Sequence, residues 1–382
     1  MTSVPGTLNT PAFSHYAVAW SPFHNNRLAL ASAANYGLVG NGRLHIASLV
    51  PPAIQLDKAY NTQDGLYDLA WSEIHENQIV TASGDGSIKL WDIMLNAWHE
   101  HTREVFSVDW SNIDKEVFIS ASWDGTVKLW NPLRAHSLQT LQAHSGCVYQ
   151  ALFSPHQPSV LATCSLDGTM KIFDLRSPSF PPTSVSGVAG PPQPPLQAAL
   201  TVPASVTEVL SLDWNKYRPF NIATAGVDKT IKLWDCRMIK LGASPEVGGL
   251  CEKELKGHEY AIRKLQWCPH RPDVLASASY DMTCRVWSTS AKPPAPSILR
   301  IHDAHTEFVV GCAWSLFDEG LLASCGWDCK LYRSQLSRCV CASEFNGGFT
   351  HAVGQRVLGL PYLASVREQG IDNIFHSEVY KL

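Results

Sequence analysis

The sequence has few charged residues, no long apolar run and no paired metal-binding cysteines. Charged residues make up 17% of the chain and no basic block occurs, which argues against a nucleic-acid-binding protein. No apolar stretch approaches the ~18 residues of a membrane span. Residues 1–13 have neither a basic region nor an apolar run, so we expect no secretory signal. The 11 cysteines include no CxxC pair, so we expect reduced thiols and no metal or other cofactor.

The sequence does contain a repeated pattern, in which a turn aspartate precedes a strand that ends in an aromatic residue. The pattern occurs at Asp85 with Trp91, Asp124 with Trp130, Asp167 with Phe173, Asp228 with Trp234, Asp281 with Trp287 and, shortened, at Asp328 with Tyr332. Repeats of about 40–50 residues with this form are typical of WD-repeat propeller blades.

A second element supports the same fold. Each repeat begins with an alternating strand that ends in an aromatic residue, at Trp20, Trp71, Trp110, Phe153, Trp214, Trp267 and Trp314. Asp-Gly between alternating runs is a strong hairpin signal. The sequence therefore predicts an all-β, seven-bladed WD-repeat β-propeller.

We expect this propeller to occupy residues 1–333 as one domain, followed by a C-terminal extension at 334–382. The proline-rich segment 177–205 lies between blades four and five and predicts a solvated insertion around a short outer strand. A propeller must close its ring. Either the extension or the N-terminal segment 7–10 must supply the outer strand of blade seven, and the sequence does not choose between them.

Serine, histidine and aspartate recur at equal offsets in two blades, and they are candidates for a nucleophilic triad. The two sets are His101, Ser120, Asp124 and Trp130, and His258, Ser277, Asp281 and Trp287. A catalytic centre has no reason to be copied around a ring. We therefore interpret each set as a structural network, in which hydrogen bonds run from indole to hydroxyl, imidazole and carboxylate, and we predict no catalytic residue.

Two groups of residues are predicted to lie on the face that carries the aspartate turns. Trp123, Tyr280 and Trp327 directly precede turn aspartates, and exposed aromatics at a rim suit protein binding; packing against neighbouring loops is the alternative. A second group consists of Asp64, Glu104, Glu208 and Glu307, each six or seven residues before a strand aromatic. These carboxylates should converge around a central opening and attract a basic peptide, or else serve only as a solvated surface.

Several segments that depart from the general repeat resemble the peroxin 7 family, the WD-repeat receptors for the type-2 peroxisomal targeting signal. The most specific segment is the blade-one loop at residues 35–42, which replaces the usual turn. The resemblance covers about residues 13–332, and its other parts lie at residues 21–23, 26–29, 64–68, 104–110, 258–263 and 305–308.

The resemblance implies a non-enzymatic receptor in the cytoplasm that carries folded cargo proteins to the peroxisome and cycles back. In that family the cargo signal is an N-terminal amphipathic helix with a basic residue, and it docks on one propeller face beside a co-receptor peroxin. The acidic contacts of the family match Asp64, Glu104 and Glu208. Peroxisomal docking peroxins are further implied partners. The alternative function is a WD-repeat scaffold or substrate adaptor of another multiprotein complex.

Overall fold

The computed structural model describes residues 6–38, 40–51, 53–92, 96–176, 197–237, 250–292 and 294–336. Within these ranges the chain forms seven four-stranded antiparallel sheets, which confirms the predicted seven-bladed propeller. The helical content of the described ranges is a 3-10 turn at Asn35–Gly37. No helix in this part of the chain is long and apolar enough to cross a membrane.

In blades one to four the strands follow chain order from the centre outwards. Blade one contains β2 (Phe13–Trp20), β3 (Arg27–Ala34), β4 (Gly42–Val50) and β5 (Ala53–Thr62). Blade two contains β6 (Leu66–Trp71), β7 (Ile79–Ser83), β8 (Ser87–Trp91) and β9 (Asn96–His99). Blade three contains β10 (Val105–Trp110), β11 (Phe118–Ser122), β12 (Thr126–Trp130) and β13 (Gln139–Gln142). Blade four contains β14 (Val148–Phe153), β15 (Val160–Ser165), β16 (Thr169–Asp174) and β17 (Leu200–Pro203).

Blades five and six repeat this order, and blade seven takes its outer strand from the start of the chain. Blade five contains β18 (Val209–Trp214), β19 (Asn221–Gly226), β20 (Thr230–Asp235) and β21 (Leu250–Lys256). Blade six contains β22 (Ile262–Trp267), β23 (Val274–Ser279), β24 (Cys284–Ser288) and β25 (Ile298–His302). Blade seven contains β26 (Val309–Trp314), β27 (Leu321–Gly326), β28 (Lys330–Gln335) and β1 (Thr7–Asn9).

The N-terminal strand β1 closes the ring, a choice that the sequence left open. It pairs antiparallel with β28, with Leu8 opposite Leu331, and Leu8 is buried in the core between blades seven and one. β28 continues to Gln335, past the predicted domain boundary at residue 333. Residues 337–382, and residues 177–196 of the predicted insertion, lie outside the described residues; the insertion's last part supplies β17.

The aspartate turns require a left-handed residue directly after the aspartate. Glycine provides it in blades two, three and four, where φ lies between 76° and 81°. In blades five, six and seven the position holds Lys229, Met282 and Cys329, which adopt φ of 63°, 63° and 58°. Left-handed φ is costly for a residue with a side chain, so the surrounding hairpin must impose it there.

Side chains on the inner strands join neighbouring blades. A carboxylate or amide oxygen accepts a backbone N–H of the next inner strand at five blade junctions: Asp68 from Val108, Asp109 from Phe153, Gln150 from Leu212, Asp213 from Trp267 and Gln266 from Trp314. Seven apolar clusters fill the gaps between adjacent blades. The polar junctions therefore line the central channel, while apolar packing lies further out.

Asp109 should make the stability of the protein fall as the pH rises. Burial raises the pKa of Asp109 to about 7, although the Phe153 N–H and Lys216 oppose the shift. Between pH 4 and 7 the unfolded state ionises this group more readily than the folded state does, so ionisation favours unfolding. Asp109→Asn keeps an acceptor oxygen and removes the charge.

We expect Asp109→Asn to have a higher denaturation midpoint than the wild type above pH 7, with the difference vanishing below about pH 4. Denaturant titrations at a series of pH values measure this, with exposed Glu116→Gln as the control. A difference that does not change with pH would show that Asp109 does not titrate in this range.

Candidate functional site

The four predicted carboxylates lie on one face of the propeller, which also carries the aspartate turns and is called the turn face below. Each occupies the loop that leads into an inner strand: Asp64 before β6, Glu104 before β10, Glu208 before β18 and Glu307 before β26. Inner strands surround the channel, so the four side chains come from four blades around a common centre. We call them the acidic quartet.

The charge of Glu104 acts on the Asp64 carboxyl group. Burial raises the pKa of Asp64, and the charges of Asp85 and Glu104 add to the shift, while a hydrogen bond from the Gly65 N–H opposes it. That backbone N–H donates to the Asp64 carboxylate at 2.7 Å. Like charges held close together repel, so a cation placed between them would relieve the repulsion.

Glu104 and Glu208 have polar partners that limit their positions. The Glu104 carboxylate lies 3.7 Å from the Arg103 guanidinium, which in turn lies 5.7 Å from the centre of the Trp123 ring. The Tyr149 hydroxyl donates a hydrogen bond of 2.6 Å to Glu208. Tyr149 is buried, so it fixes the Glu208 carboxylate from beneath the face.

Aromatic side chains form a continuous series beside the acidic quartet. The rings follow one another at 5.0 to 5.8 Å as far as Phe106, against which Trp123 and Tyr149 both pack, at 5.1 and 6.0 Å. We call the set the aromatic belt: Tyr280, Phe308, Trp327, Tyr16, Tyr67, Phe106, Trp123 and Tyr149. Rings at these separations attract one another beyond simple burial. The belt gives the acidic face an apolar floor.

The channel is closed at the turn face, although the sequence predicted an opening there. The Arg263 guanidinium of blade six lies 4.7 Å from the ring centre of Phe106 in blade three, so the two side chains meet across the channel. The cavity that they line with Tyr16, Tyr67 and Tyr149 has a volume of about 10 Å³, roughly the least that one water needs. A ligand of this face therefore lies across it rather than threading the ring.

The three predicted rim aromatics occupy different environments. Trp123 is partly buried and stacks on Phe106 at an interplanar angle of 25°, and Trp327 is partly buried between Tyr16 and Phe308. Tyr280 is 6% exposed, so the prediction of an exposed side chain is wrong for this residue. It packs against Phe308, which covers its ring.

The structure brings together each predicted serine–histidine–aspartate set. In blade three the Trp130 indole donates to Ser120 at 2.8 Å, Ser120 lies 2.7 Å from His101 Nε2, and His101 Nδ1 lies 2.8 Å from Asp124. Blade six repeats these bonds among Trp287, Ser277, His258 and Asp281 at 2.6–2.7 Å.

The geometry of these networks fits a structural role. The serine hydroxyl is fully buried and is engaged by both indole and imidazole, so no substrate can approach it. Although burial opposes the shift, hydrogen bonds and the charge of His258 lower the pKa of Asp281 to about 2. Blade seven has a further set, His305, Ser324 and Asp328, with bonds of 3.0–3.1 Å, in which Tyr332 replaces tryptophan and packs on the imidazole.

Sequence reasoning missed most of the aromatic belt. Tyr67, Phe106 and Phe308 follow the quartet residues Asp64, Glu104 and Glu307 by one to three positions. Because strand residues alternate between faces, such positions can point toward the channel. This spacing could have identified the three aromatic residues. It could not have identified Tyr16 and Arg263, because neither follows a residue of the acidic quartet.

The fold and the site define the class of this protein, a WD-repeat propeller whose turn face combines four carboxylates with an aromatic belt. The family of the WD domain, G-beta repeat, matches residues 57–92, 94–131, 135–174, 198–235, 249–288 and 296–332. These segments leave out the first strands of blade one, in which the usual turn is replaced.

Comparison with known proteins identifies the family within this class. The chain is 36% identical to the peroxisomal targeting signal 2 receptor of Saccharomyces cerevisiae, over 84% of this chain and 96% of that protein. It is 42% identical to the receptor of the same name from Komagataella phaffii, over 85% and 96%, and 38% identical to that of Homo sapiens, over 80% and 87%. The chain belongs to the family of peroxisomal targeting signal 2 receptors, which are non-enzymatic import receptors.

Proposed function

We propose that this protein binds the N-terminal type-2 peroxisomal targeting signal of cargo proteins on its turn face and, with a co-receptor, delivers them to the peroxisome matrix. It performs this task by cycling between the cytoplasm and peroxisomal docking peroxins. The observation that carries the proposal is the acidic quartet beside the aromatic belt. Carboxylates from four blades suit a basic side chain, and an aromatic floor suits the apolar side of an amphipathic helix.

The quartet is suited to binding because its charges are partly shielded and held in place. Burial raises the pKa of Asp64, which means that its carboxylate would gain from a nearby cation. Glu208 is fixed by Tyr149 at 2.6 Å, so little conformational freedom is lost when a ligand binds. Arg103, Arg263 and Lys89 are nearby cations that offset part of the field, and Lys89 is itself paired with Asp85.

Tyr149 should contribute to cargo binding without touching the cargo. Tyr149→Phe retains the buried ring and removes the hydroxyl that holds Glu208, so the carboxylate must be ordered when cargo binds. We expect the affinity for a targeting-signal peptide to fall by about two- to tenfold. Calorimetric titration measures this, with Tyr217→Phe, whose hydroxyl donates to the Pro269 carbonyl, as the control. Equal affinities for Tyr149→Phe and the wild type would show that Glu208 is positioned by other contacts.

Cargo and co-receptor should bind together more tightly than either binds alone. A short peptide helix buries little surface, and its ordering consumes part of the binding free energy. A co-receptor segment that packs on the exposed side of the helix, next to Trp123 and Trp327, would supply further apolar burial.

Titration of the cargo peptide with and without a co-receptor peroxin tests this cooperation. We expect the dissociation constant of the peptide to fall when the co-receptor is present. Full-strength binding by the isolated protein, unchanged by any peroxin, would contradict the co-receptor part of the proposal. Absence of peptide binding under all conditions would instead favour a scaffold or adaptor function.

A further inference from the structure

The face opposite the turn face carries a series of exposed apolar side chains. They come from the loops that follow the inner strands of blades seven, one, two and three, which are consecutive around the ring. Each side chain is between 38% and 50% exposed, and we call the set the apolar arc: Leu316, Phe317, Phe23, Ile74 and Ile113. Single exposed apolar residues are ordinary, but apolar residues at matching positions of four consecutive blades, two of which (Phe23 and Ile74) line one surface depression, point to an interaction site.

The loops that carry the arc are held in place by a serine after the strand aromatic. The Ser21 hydroxyl accepts backbone N–H groups of Phe23 and His24 at 3.2 Å. Ser72 does the same for Ile74 and its neighbour, and Ser315 for Phe317 and Asp318 at 3.3 and 3.1 Å. These local bonds fix the loop backbones, so the apolar side chains are presented before any partner arrives.

The arc borders the open end of the central channel. A cavity of about 280 Å³ opens here, lined in part by Pro22, Glu73, Asn112 and Leu316 from the same loops. The cavity is far larger than a single water requires, and Arg263 and Phe106 close the channel at its other end. It is therefore a pocket that a long side chain can enter from this face only.

The charged lining of the pocket favours a cation. Its carboxylates are Asp68, Glu73, Asp109 and Asp213, and its ammonium groups are Lys216 and Lys264. These groups carry a formal charge of −1 while Asp109 is protonated and of −2 once it ionises, around pH 7. Lys216 is already paired with Asp213 at 2.8 Å, so the excess negative charge lies with the other carboxylates.

We propose that the apolar arc is a second docking surface, for a partner protein segment that packs apolar side chains on the arc and inserts one lysine or arginine into the channel mouth. The loops of the arc carry more acidic than basic side chains, with Glu76, Asp318 and Glu319 against Lys115, which disfavours an anionic membrane surface. This excess also disfavours a second copy, because a two-fold contact would bring the same acidic loops together.

This surface is independent of the cargo site. An inner strand of six residues separates the two faces by about 20 Å, so a partner on the arc and cargo on the turn face can be bound at once.

Selection from a phage-displayed library of random peptides, using the immobilised full chain as bait, tests the proposal. Peptides that bind this face should be enriched in apolar residues next to a lysine or arginine. Phe317→Asp and Ile74→Asp should each weaken a selected peptide by about tenfold or more, and Glu73→Gln should weaken it less. Glu104→Lys on the turn face should have no effect, and all three opposite-face variants should still bind a targeting-signal peptide, which shows that they fold.

Four results would overturn the proposal. Selected peptides without a basic residue would contradict the inserted cation, and peptides whose binding is indifferent to both aspartate variants would exclude the arc as their site. A dimer in sedimentation experiments that Phe317→Asp dissociates would assign the arc to a second copy. Flotation of the protein with anionic vesicles, abolished by Phe317→Asp, would assign it to a membrane. Loss of cargo binding by Glu104→Lys alone is a result about the turn face. It does not bear on the docking surface proposed for the opposite face.

Discussion

Glu104→Lys should weaken binding of a type-2 targeting-signal peptide by about tenfold or more. A charge-assisted contact at a partly shielded site contributes on the order of 1.5–3 kcal/mol, and tenfold in affinity corresponds to about 1.4 kcal/mol. Reversal does more than removal, because the new ammonium repels the basic side chain of the ligand. It also places a cation beside Arg103, which now lies 3.7 Å from the Glu104 carboxylate.

The matched control is Glu254→Lys, which makes the same change in net charge on the outer strand of blade five. Glu254 pairs with Lys256 at the surface and is far from the inner-strand loops. Calorimetry on both variants separates a local effect from a general change in net charge. Wild-type affinity for Glu104→Lys, with an unchanged thermal midpoint, would mean that the acidic quartet is only a solvated surface.

Asp124→Ala should destabilise the fold by about 1–3 kcal/mol, whereas Asp64→Ala should cost under roughly 0.5 kcal/mol. The Asp124 carboxylate accepts from His101 Nδ1 at 2.8 Å, the Thr102 N–H at 3.1 Å and the Thr126 N–H at 2.9 Å. These bonds overcome the effect of burial and lower the pKa of Asp124. Removing the carboxylate leaves several donors without an acceptor.

Asp64 differs because its environment disfavours the charged form. Burial and neighbouring carboxylates raise its pKa, so its removal also relieves repulsion, and the lost bond is the one from the Gly65 N–H. Denaturant midpoints of the two variants at neutral pH measure the contrast. A larger loss for Asp64→Ala than for Asp124→Ala would reverse the assignment of structural and surface aspartates.

The repeat pattern was sufficient to predict the propeller, because each blade carries the same turn and the same strand aromatic. Asp85 with Gly86, or Asp124 with Gly125, determines a hairpin locally and needs no knowledge of the rest of the chain. Ring closure could not be predicted in this way. β1 has only three residues, Thr7–Asn9, and such a short strand is recognisable only from its pairing with β28.

The candidate site was partly predictable for the same reason. The acidic quartet could be located because its spacing from the strand aromatics is nearly constant. The closed channel could not, since it depends on Arg263 reaching Phe106 from the other side of the ring. Tyr280 was expected to be exposed because of its place before a turn aspartate; its burial depends on Phe308, which comes from the next blade.

A charge-swap titration tests the central claim most directly. It pairs Glu104→Lys with a cargo peptide in which the basic residue is changed to glutamate, and compares all four combinations by calorimetry. Our account predicts that each single change weakens binding and that the double change restores part of the affinity, because the two charges face one another. Additive losses with no recovery would contradict the claim that the acidic quartet receives the basic residue of the cargo signal.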